Sequence, residues 1–137
     1  ETCVGGTETI LLAEDDEYVR ALTRSVLTDF GYTIIEAVNG ADAVSKFVEH
    51  HETIGLLLLD LIMPKMNGKE ALDEIRKIRP DIKAIFSSGY APETIRQKAA
   101  LDDGVHLIAK PASPTDLLKK VRQVLDEQGT DKPCTPN

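Results

Sequence analysis

The stretch GLLLLDLIMPKMNG, residues Gly55–Gly68, decides the fold class. Its four consecutive leucines, Leu56–Leu59, are typical of a strand that is buried on both faces of a parallel sheet. The run ends in Asp60, and a turn with Pro64 follows. An ionised carboxylate at the edge of such a strand is costly unless other groups compensate its charge. The position of Asp60 therefore predicts a functional site at the end of this strand.

Short apolar runs recur along the whole chain, each bounded by turn residues as strands are. They alternate with segments whose apolar residues have helical spacing. This alternation predicts an α/β domain with a five-stranded parallel sheet and helices on both faces. The predicted strands are Thr9–Ala13, Tyr32–Ala37, Gly55–Asp60, Lys83–Ser88 and His106–Lys110, and the predicted helices lie at 19–27, 41–48, 71–78, 95–101 and 114–127.

Three helix boundaries have clear local signals. Gly31 is expected to end the first helix, because glycine accepts the backbone conformation that follows a helix. Asn39 is followed by glycine and by helical periodicity, which indicates a helix cap and not a hairpin turn. Ser113 precedes Pro114, and Asp116 follows three residues after the serine, a pattern that marks the start of the last helix.

Composition limits the classes of function. The 137 residues fit one domain, with 42% hydrophobic and 28% charged residues. We expect a domain at 9–128 between flexible ends at 1–8 and 129–137. The net charge of −7 argues against a nucleic-acid binder, and no apolar run approaches the length of a membrane span. Cys3 and Cys134 have no ligand spacing, so we expect free thiols in a reducing, cytoplasmic compartment, although a disulfide between the two ends stays open.

Polar residues follow four of the five predicted strands, and the carboxyl ends of parallel strands share one edge of a sheet. They are Glu14, Asp15 and Asp16 after the first strand, Asp60 after the third, Ser87 and Ser88 after the fourth, and Lys110 after the fifth. The second strand ends in Ala37, so we expect it to contribute nothing polar. Clustered carboxylates repel one another unless a cation lies among them, and such oxygen-rich sites suit Mg²⁺. A lysine beside them suits a phosphoryl oxygen, so a carboxylate here can act as a nucleophile toward phosphorus.

The motifs LLAEDD, LLLLDLIMPKMNG, SSGY and AKP occur in an order and at a spacing that strongly resemble the receiver domains of two-component response regulators. The resemblance covers about residues 9–128. It implies a flavodoxin-like, doubly wound (βα)5 fold. It also implies a phosphorelay, in which the domain takes a phosphoryl group from a phosphohistidine, catalyses its own phosphorylation and dephosphorylation, and switches conformation. The implied partners are a sensor histidine kinase or a histidine phosphotransfer protein.

The resemblance assigns the acidic residues by position. Asp60 matches the aspartate that accepts the phosphoryl group and also binds Mg²⁺, for which Mn²⁺ can substitute. Asp15 matches a direct metal ligand, and Glu14 is expected to act beside it through water. The family more often has aspartate at the position of Glu14. The backbone carbonyl of Ile62 completes the implied ligand set.

The remaining implied residues concern the switch. Lys110 is expected to pair with the phosphoryl group, and the bond between Lys110 and Pro111 is cis in this family. The Ser88 hydroxyl is expected to move and bind a phosphoryl oxygen. Leu107 stands where the family usually has a switching aromatic residue, and Ala112 replaces a common aromatic after the Lys-Pro pair. We therefore expect signalling to depend on Ser88 without a rotating ring.

The context of the domain has two alternatives. The segments GTETILLAEDD and SPTDLLKKVRQVLDE resemble receivers at the C-termini of hybrid sensor histidine kinases, which predicts a place in or beside such a kinase, on the cytoplasmic side of the membrane. The alternative is a stand-alone regulator, and a homodimer through the last two helices stays open. We expect no nucleic acid and no direct membrane contact. An Mg²⁺-dependent phosphatase with an aspartate nucleophile needs a second acid where Ile62 stands.

Overall fold

The computed structural model describes residues 5–89, 106–110 and 113–126. Strands and helices alternate in the predicted order up to the fourth strand, and the fifth strand is followed by the last helix. The strands are β1 (Thr9–Ala13), β2 (Thr33–Ala37), β3 (Ile54–Asp60), β4 (Lys83–Ser88) and β5 (His106–Ala109), and the helices are α1 (Glu17–Asp29), α2 (Gly40–His50), α3 (Gly68–Ile78) and α4 (Pro114–Leu125).

The described strands form one parallel sheet in the order β2-β1-β3-β4-β5. The order reverses between β1 and β3, because the chain first adds β2 on one side and then β3 and the later strands on the other. In sheets of this kind the crevice at the reversal point is the usual ligand site. The predicted doubly wound α/β fold is confirmed, and the ends of β1 and β3 meet at this crevice.

Alternate leucines of β3 enter two different cores, because successive side chains of a strand point to opposite faces. The core under α2 and α3 contains Leu57, Leu59, Phe47 and Ile75, and the core under α1 and α4 contains Leu56, Leu58, Leu27 and Val121. Burial of each leucine stabilises the fold by roughly 1.5–3 kcal/mol. The leucine run therefore fixes the strand that carries Asp60 from both faces of the sheet.

The predicted helix caps are present. The Asn39 side chain accepts a hydrogen bond from the Asp42 amide at 2.8 Å, and the Ser113 hydroxyl accepts one from the Asp116 amide at 3.1 Å. Asn67 and Glu70 form a reciprocal capping box at the start of α3. These caps define the starts of the three helices that follow β2, β3 and β5.

Several predictions fall outside the described residues or differ by one to three positions at the ends of an element. The predicted helix at 95–101, the Lys110–Pro111 bond and Ala112 lie outside the described ranges, and the boundaries of the predicted domain stay predictions. Within the described part, residues 5–8 hydrogen-bond to the domain: the Gly6 amide donates to the Phe30 carbonyl at 3.2 Å. β2 starts one residue later than predicted, and β5 ends one residue earlier.

Candidate functional site

Lys110 joins two buried carboxylates at the crevice between β1 and β3. Its Nζ atom donates to Glu14 Oε1 at 2.9 Å and to Asp60 Oδ2 at 3.1 Å. The side chains of Glu14 and Asp60 are only 5% and 7% exposed, whereas that of Lys110 is 27% exposed. The lysine therefore enters from the rim and neutralises part of the buried negative charge.

Asp15 adds a third carboxylate from the solvent side. One carboxylate oxygen from each of Glu14, Asp15 and Asp60 lies within 4.8 Å of the others. Asp15 is exposed, and no hydrogen bond or ion pair of its side chain occurs within the described ranges. Three carboxylates face one amine here, so the cluster keeps an excess of negative charge. Its oxygen donors fit the preference of Mg²⁺.

Backbone hydrogen bonds of the turn after β3 fix the end of the strand that carries Asp60. The Gly68 amide donates to the Leu61 carbonyl at 3.0 Å, and the Leu61 amide donates to the Ser87 carbonyl at 2.9 Å. A Cβ atom on Gly68 would lie 2.6 Å from the Asp60 carbonyl oxygen, closer than such atoms approach. Lys65, within the turn, has a positive φ of 68°. Glycine at position 68 therefore allows α3 to start directly against the strand end.

The other residues singled out by the sequence lie around this cluster. Ser88 is 2% exposed at the end of β4, and its carbonyl accepts the Lys110 amide at 2.8 Å. Ile62 is 55% exposed, and its amide donates to Asp60 Oδ1 at 3.4 Å. Leu107 packs against the core under α2 and α3. The structure thus brings Glu14, Asp15, Asp60 and Lys110 together and places Ser88 and Ile62 on adjoining backbone.

The charges of the cluster influence one another. Burial raises the pKa of Glu14, although hydrogen bonds from Lys110 and from the Asp16 amide act in the opposite direction. Burial alone would lower the pKa of Lys110, but the hydrogen bonds to Glu14 and the negative charge of Asp60 outweigh it and raise that pKa. Lys110 therefore remains a cation at neutral pH.

A groove of about 500 Å³ opens beside this cluster, between α1 and α4. Its walls are mainly apolar and include Tyr18 and Leu22 of α1 and Leu117 of α4. Ser87 and Lys110 lie at the end of the groove nearest the cluster. The groove gives an apolar approach to the acidic cluster along the length of α1.

Two residues near the site were missed by the sequence reasoning. Arg20 of α1 donates from Nη1 to the carbonyl oxygen of Glu14 at 2.8 Å and from Nε to Glu36 Oε1 at 3.1 Å. Glu36 belongs to β2, so the expectation that the second strand contributes nothing polar is incomplete. It was missed because Glu36 precedes the strand end and reaches the loop after β1 only through Arg20. The only signal in the sequence was an acidic residue at position 36, which strand alternation places on the face of the sheet that α1 covers.

None of the helices within the described ranges has the length and apolarity that crossing a bilayer requires.

Comparison with known proteins identifies the family. A family model described as the response regulator receiver domain matches residues 10–122. The sensor kinase CckA of Brucella abortus (strain 2308) is 35% identical over 127 residues, which cover 93% of this chain but only 13% of that kinase. The response regulator receiver protein CpdR of the same organism is 33% identical over 116 residues, which cover 85% of this chain and 95% of CpdR.

A solved structure supports the same assignment. The crystal structure of the CheX–CheY–BeF3–Mg²⁺ complex from Borrelia burgdorferi matches with a TM-score of 0.75 at 29% identity, covering 85% of this chain and 88% of the matched chain. The sheet order, the acidic crevice and these matches agree with one another. The chain therefore belongs to the response regulator receiver domains, the phosphoacceptor modules of two-component signalling.

Proposed function

We propose that Asp60 is the phosphoacceptor of this receiver. The observation that carries the proposal is the contact of Lys110 Nζ with both Asp60 and Glu14, beside the exposed carboxylate of Asp15. Asp60 is rigidly held by β3, yet it lies next to a cationic donor at the ligand crevice. Glu14 shares the burial and the lysine partner, but its second oxygen already accepts the Asp16 amide at 3.1 Å.

The reaction is a phosphoryl transfer from a phosphohistidine. A carboxylate oxygen of Asp60 forms a bond to phosphorus while the P–N bond to the imidazole breaks, and the electron pair of that bond stays on the nitrogen. Lys110 contacts Asp60 and is therefore positioned to donate to a phosphoryl oxygen on that residue. The buried Ser88 is proposed to bind another phosphoryl oxygen, and this contact replaces an aromatic switch because position 107 is leucine.

Glu14, Asp15 and Asp60 would hold Mg²⁺, with the Ile62 carbonyl as a further ligand, and Mn²⁺ would substitute. The ion supplies positive charge that offsets repulsion among the acids and the incoming phosphoryl group. The related CheY from Borrelia burgdorferi was crystallised in a complex with BeF3 and Mg²⁺, which supports this choice of metal. Asp15 is suited to direct binding because its carboxylate is exposed and makes no competing contact among the described residues.

The phosphodonor is proposed to be a sensor histidine kinase or a histidine phosphotransfer protein, in the cytoplasm. The apolar groove along α1 ends at Lys110 and offers such a protein a surface next to Asp60. The match to CckA supports a place within a hybrid kinase, and the match to nearly all of CpdR supports a stand-alone regulator. We favour the hybrid. A natural reading frame with a histidine-bearing dimerisation helix and an ATP-binding domain before this one is the expected finding; a frame confined to this domain overturns it.

Phosphorylation by acetyl phosphate, read by intact mass, tests the proposal. The parent chain should gain the mass of one phosphoryl group with Mg²⁺ and almost none with a chelator. Asp60→Asn should gain nothing, whereas the control Asp73→Asn, which changes an exposed acid of α3, should behave as the parent. A full gain in Asp60→Asn, or a gain that is independent of Mg²⁺, would contradict the assignment.

A further inference from the structure

We propose that Arg20 and Glu36 form a positioning pair that holds the metal-binding loop after β1. The inference rests on the proposed function, because it concerns Mg²⁺ at the acidic cluster. Neither residue contacts the carboxylates of that cluster in the structure. Their effect is expected to pass through the backbone of Glu14.

Arg20 contacts the backbone of Glu14 directly. Arg20 lies in the first turn of α1, and its side chain is only 14% exposed. Its Nη1 donates to the Glu14 carbonyl at 2.8 Å, while the Glu14 amide donates to the Ala37 carbonyl at 3.1 Å. The peptide group that leads from Glu14 to Asp15 is therefore held by the Arg20 side chain, and the peptide group before it is held by β2.

Glu36 in turn fixes the orientation of the Arg20 side chain. Arg20 Nε donates to Glu36 Oε1 at 3.1 Å, so one planar guanidinium bridges a carboxylate and a backbone carbonyl. Glu36 is itself held, because Arg24 Nη1 donates to its second carboxylate oxygen at 2.9 Å and Lys46 Nζ donates to its carbonyl at 3.0 Å. β2 contributes no metal ligand, but through Glu36 it anchors the loop after β1, which carries Glu14 and Asp15.

A charge effect and a positioning role of Arg20 predict opposite changes in Mg²⁺ affinity. Arg20 is a cation next to an acidic, cation-binding loop. If it acted only through charge, its removal would strengthen Mg²⁺ binding, since like charges repel. If it positions the loop, its removal weakens binding, because partners behind metal ligands commonly change metal affinity by roughly 10–100-fold. The sign of the change therefore identifies the role.

Lysine cannot replace Arg20 in this role. A guanidinium donates in a planar fork to two groups at once, whereas an ammonium is a point charge on a flexible stem. Arg20→Lys keeps the charge but loses the bridge between Glu14 and Glu36. A positioning role therefore predicts that Arg20→Lys resembles Arg20→Gln more than it resembles the parent.

The experiment is a calorimetric Mg²⁺ titration of the whole chain, with urea unfolding of each variant. We expect Arg20→Gln to bind Mg²⁺ roughly tenfold more weakly, with Arg20→Lys close to it. The control is Lys77→Gln, because Lys77 is an exposed cation of α3 that pairs with Glu74 and lies outside the Arg20–Glu36 pair. It should retain the parent affinity. Saturating Mg²⁺ should restore the rate of phosphorylation by acetyl phosphate in Arg20→Gln.

Each other outcome overturns the inference. An affinity in Arg20→Gln that equals or exceeds the parent value leaves only a charge effect or none. An equal loss in Lys77→Gln shows a general effect of removing a surface cation. A loss of phosphorylation that Mg²⁺ does not restore places Arg20 in another role. If the parent chain itself fails to bind Mg²⁺, the proposed function falls and this inference falls with it.

Discussion

Charged side chains meet at both ends of the sheet, and the two groups are built in opposite ways. At the carboxyl ends of the strands, Lys110 is the amine that faces the three carboxylates of the candidate site. At the other end, Arg122 of α4 lies between Glu8 and Asp126 and contacts the Tyr32 hydroxyl. We call Glu8, Tyr32, Arg122 and Asp126 the basal cluster.

The basal cluster is saturated with hydrogen bonds. Arg122 Nη2 donates to Glu8 Oε2 at 2.8 Å and to Asp126 Oδ1 at 2.9 Å, and Nε donates to Asp126 Oδ2 at 3.2 Å. Nη1 donates to the Gly5 carbonyl at 2.9 Å. Hydrogen bonds to Glu8 have the largest effect and raise the pKa of Arg122 above its ordinary value. Burial alone would lower this pKa, but its effect is smaller. All three guanidinium nitrogens donate hydrogen bonds, so this cluster ties α4 to the residues that precede β1 and β2.

Incomplete neutralisation distinguishes the candidate binding site from the structural clamp. Both groups pair buried or half-buried acids with one cation. The acidic crevice has an exposed carboxylate left over, whereas the arginine of the basal cluster satisfies both acids. Changes at the crevice should therefore alter chemistry, and changes at the basal cluster should alter stability.

The largest effect is expected from Lys110→Met. Loss of a cationic donor beside the transferred group typically slows such reactions by roughly 100–1,000-fold. Mg²⁺ binding should become tighter, because a positive charge leaves the carboxylates. Intact mass after acetyl phosphate treatment and a calorimetric Mg²⁺ titration measure both effects. The control is Lys77→Met, which removes an exposed lysine that pairs with Glu74 on α3. A parent-like rate in Lys110→Met would contradict the separation of the two clusters.

The sequence predicted the crevice and not the basal cluster for a physical reason. Residues at strand ends are brought together by the parallel sheet alone, so Asp15, Asp60 and Lys110 could be grouped from the strand pattern. Glu8 and Arg122 are 114 positions apart, and neither lies at the carboxyl end of a predicted strand. Tyr32 was counted as an apolar strand residue, although its hydroxyl accepts from Arg122. Such contacts depend on the rotation of α4 about its axis, which the apolar periodicity of a helix defines only coarsely.

The next effect is expected from Arg122→Gln, which should destabilise the fold without changing the site. Glutamine cannot bridge Glu8 and Asp126, so two carboxylates lose their partner. Breaking a buried ion pair costs about 3–5 kcal/mol, and the partial exposure of both acids reduces this to about 2 kcal/mol. The midpoint of urea unfolding measures the loss. Mg²⁺ affinity should match the parent, and the exposed Lys119→Gln on the same helix should change neither quantity.

A smaller, pH-dependent effect is expected from Glu8→Gln. Burial alone would raise the pKa of Glu8, but hydrogen bonds from Arg122 and the neighbouring backbone outweigh it and lower the pKa below 4.5. The stabilisation from Glu8 is therefore fully present above pH 4.5 and is lost as the pH falls through the lowered value. Urea unfolding at about pH 7 should show Glu8→Gln less stable than the parent, and the difference should shrink near pH 3.

The control for this pH dependence is Glu17→Gln, which changes an exposed acid in the first turn of α1. Its unfolding curve should keep the acid dependence of the parent. A difference between Glu8→Gln and the parent that stays constant from about pH 7 to about pH 3 would show that the charge of Glu8 does not contribute to the clamp.

The smallest effect is expected from Tyr32→Phe. Burial raises the pKa of Tyr32, so its hydroxyl stays neutral and accepts from Arg122 Nη1 at 3.3 Å. Phenylalanine keeps the buried ring, and Nη1 retains the Gly5 carbonyl and Glu8 as partners. The loss should be about 0.5–1 kcal/mol in urea unfolding. Because the hydroxyl acts through Arg122, the substitution should cost almost nothing when Arg122→Gln is already present. The same loss in both backgrounds would show that Tyr32 stabilises the fold independently of the basal cluster.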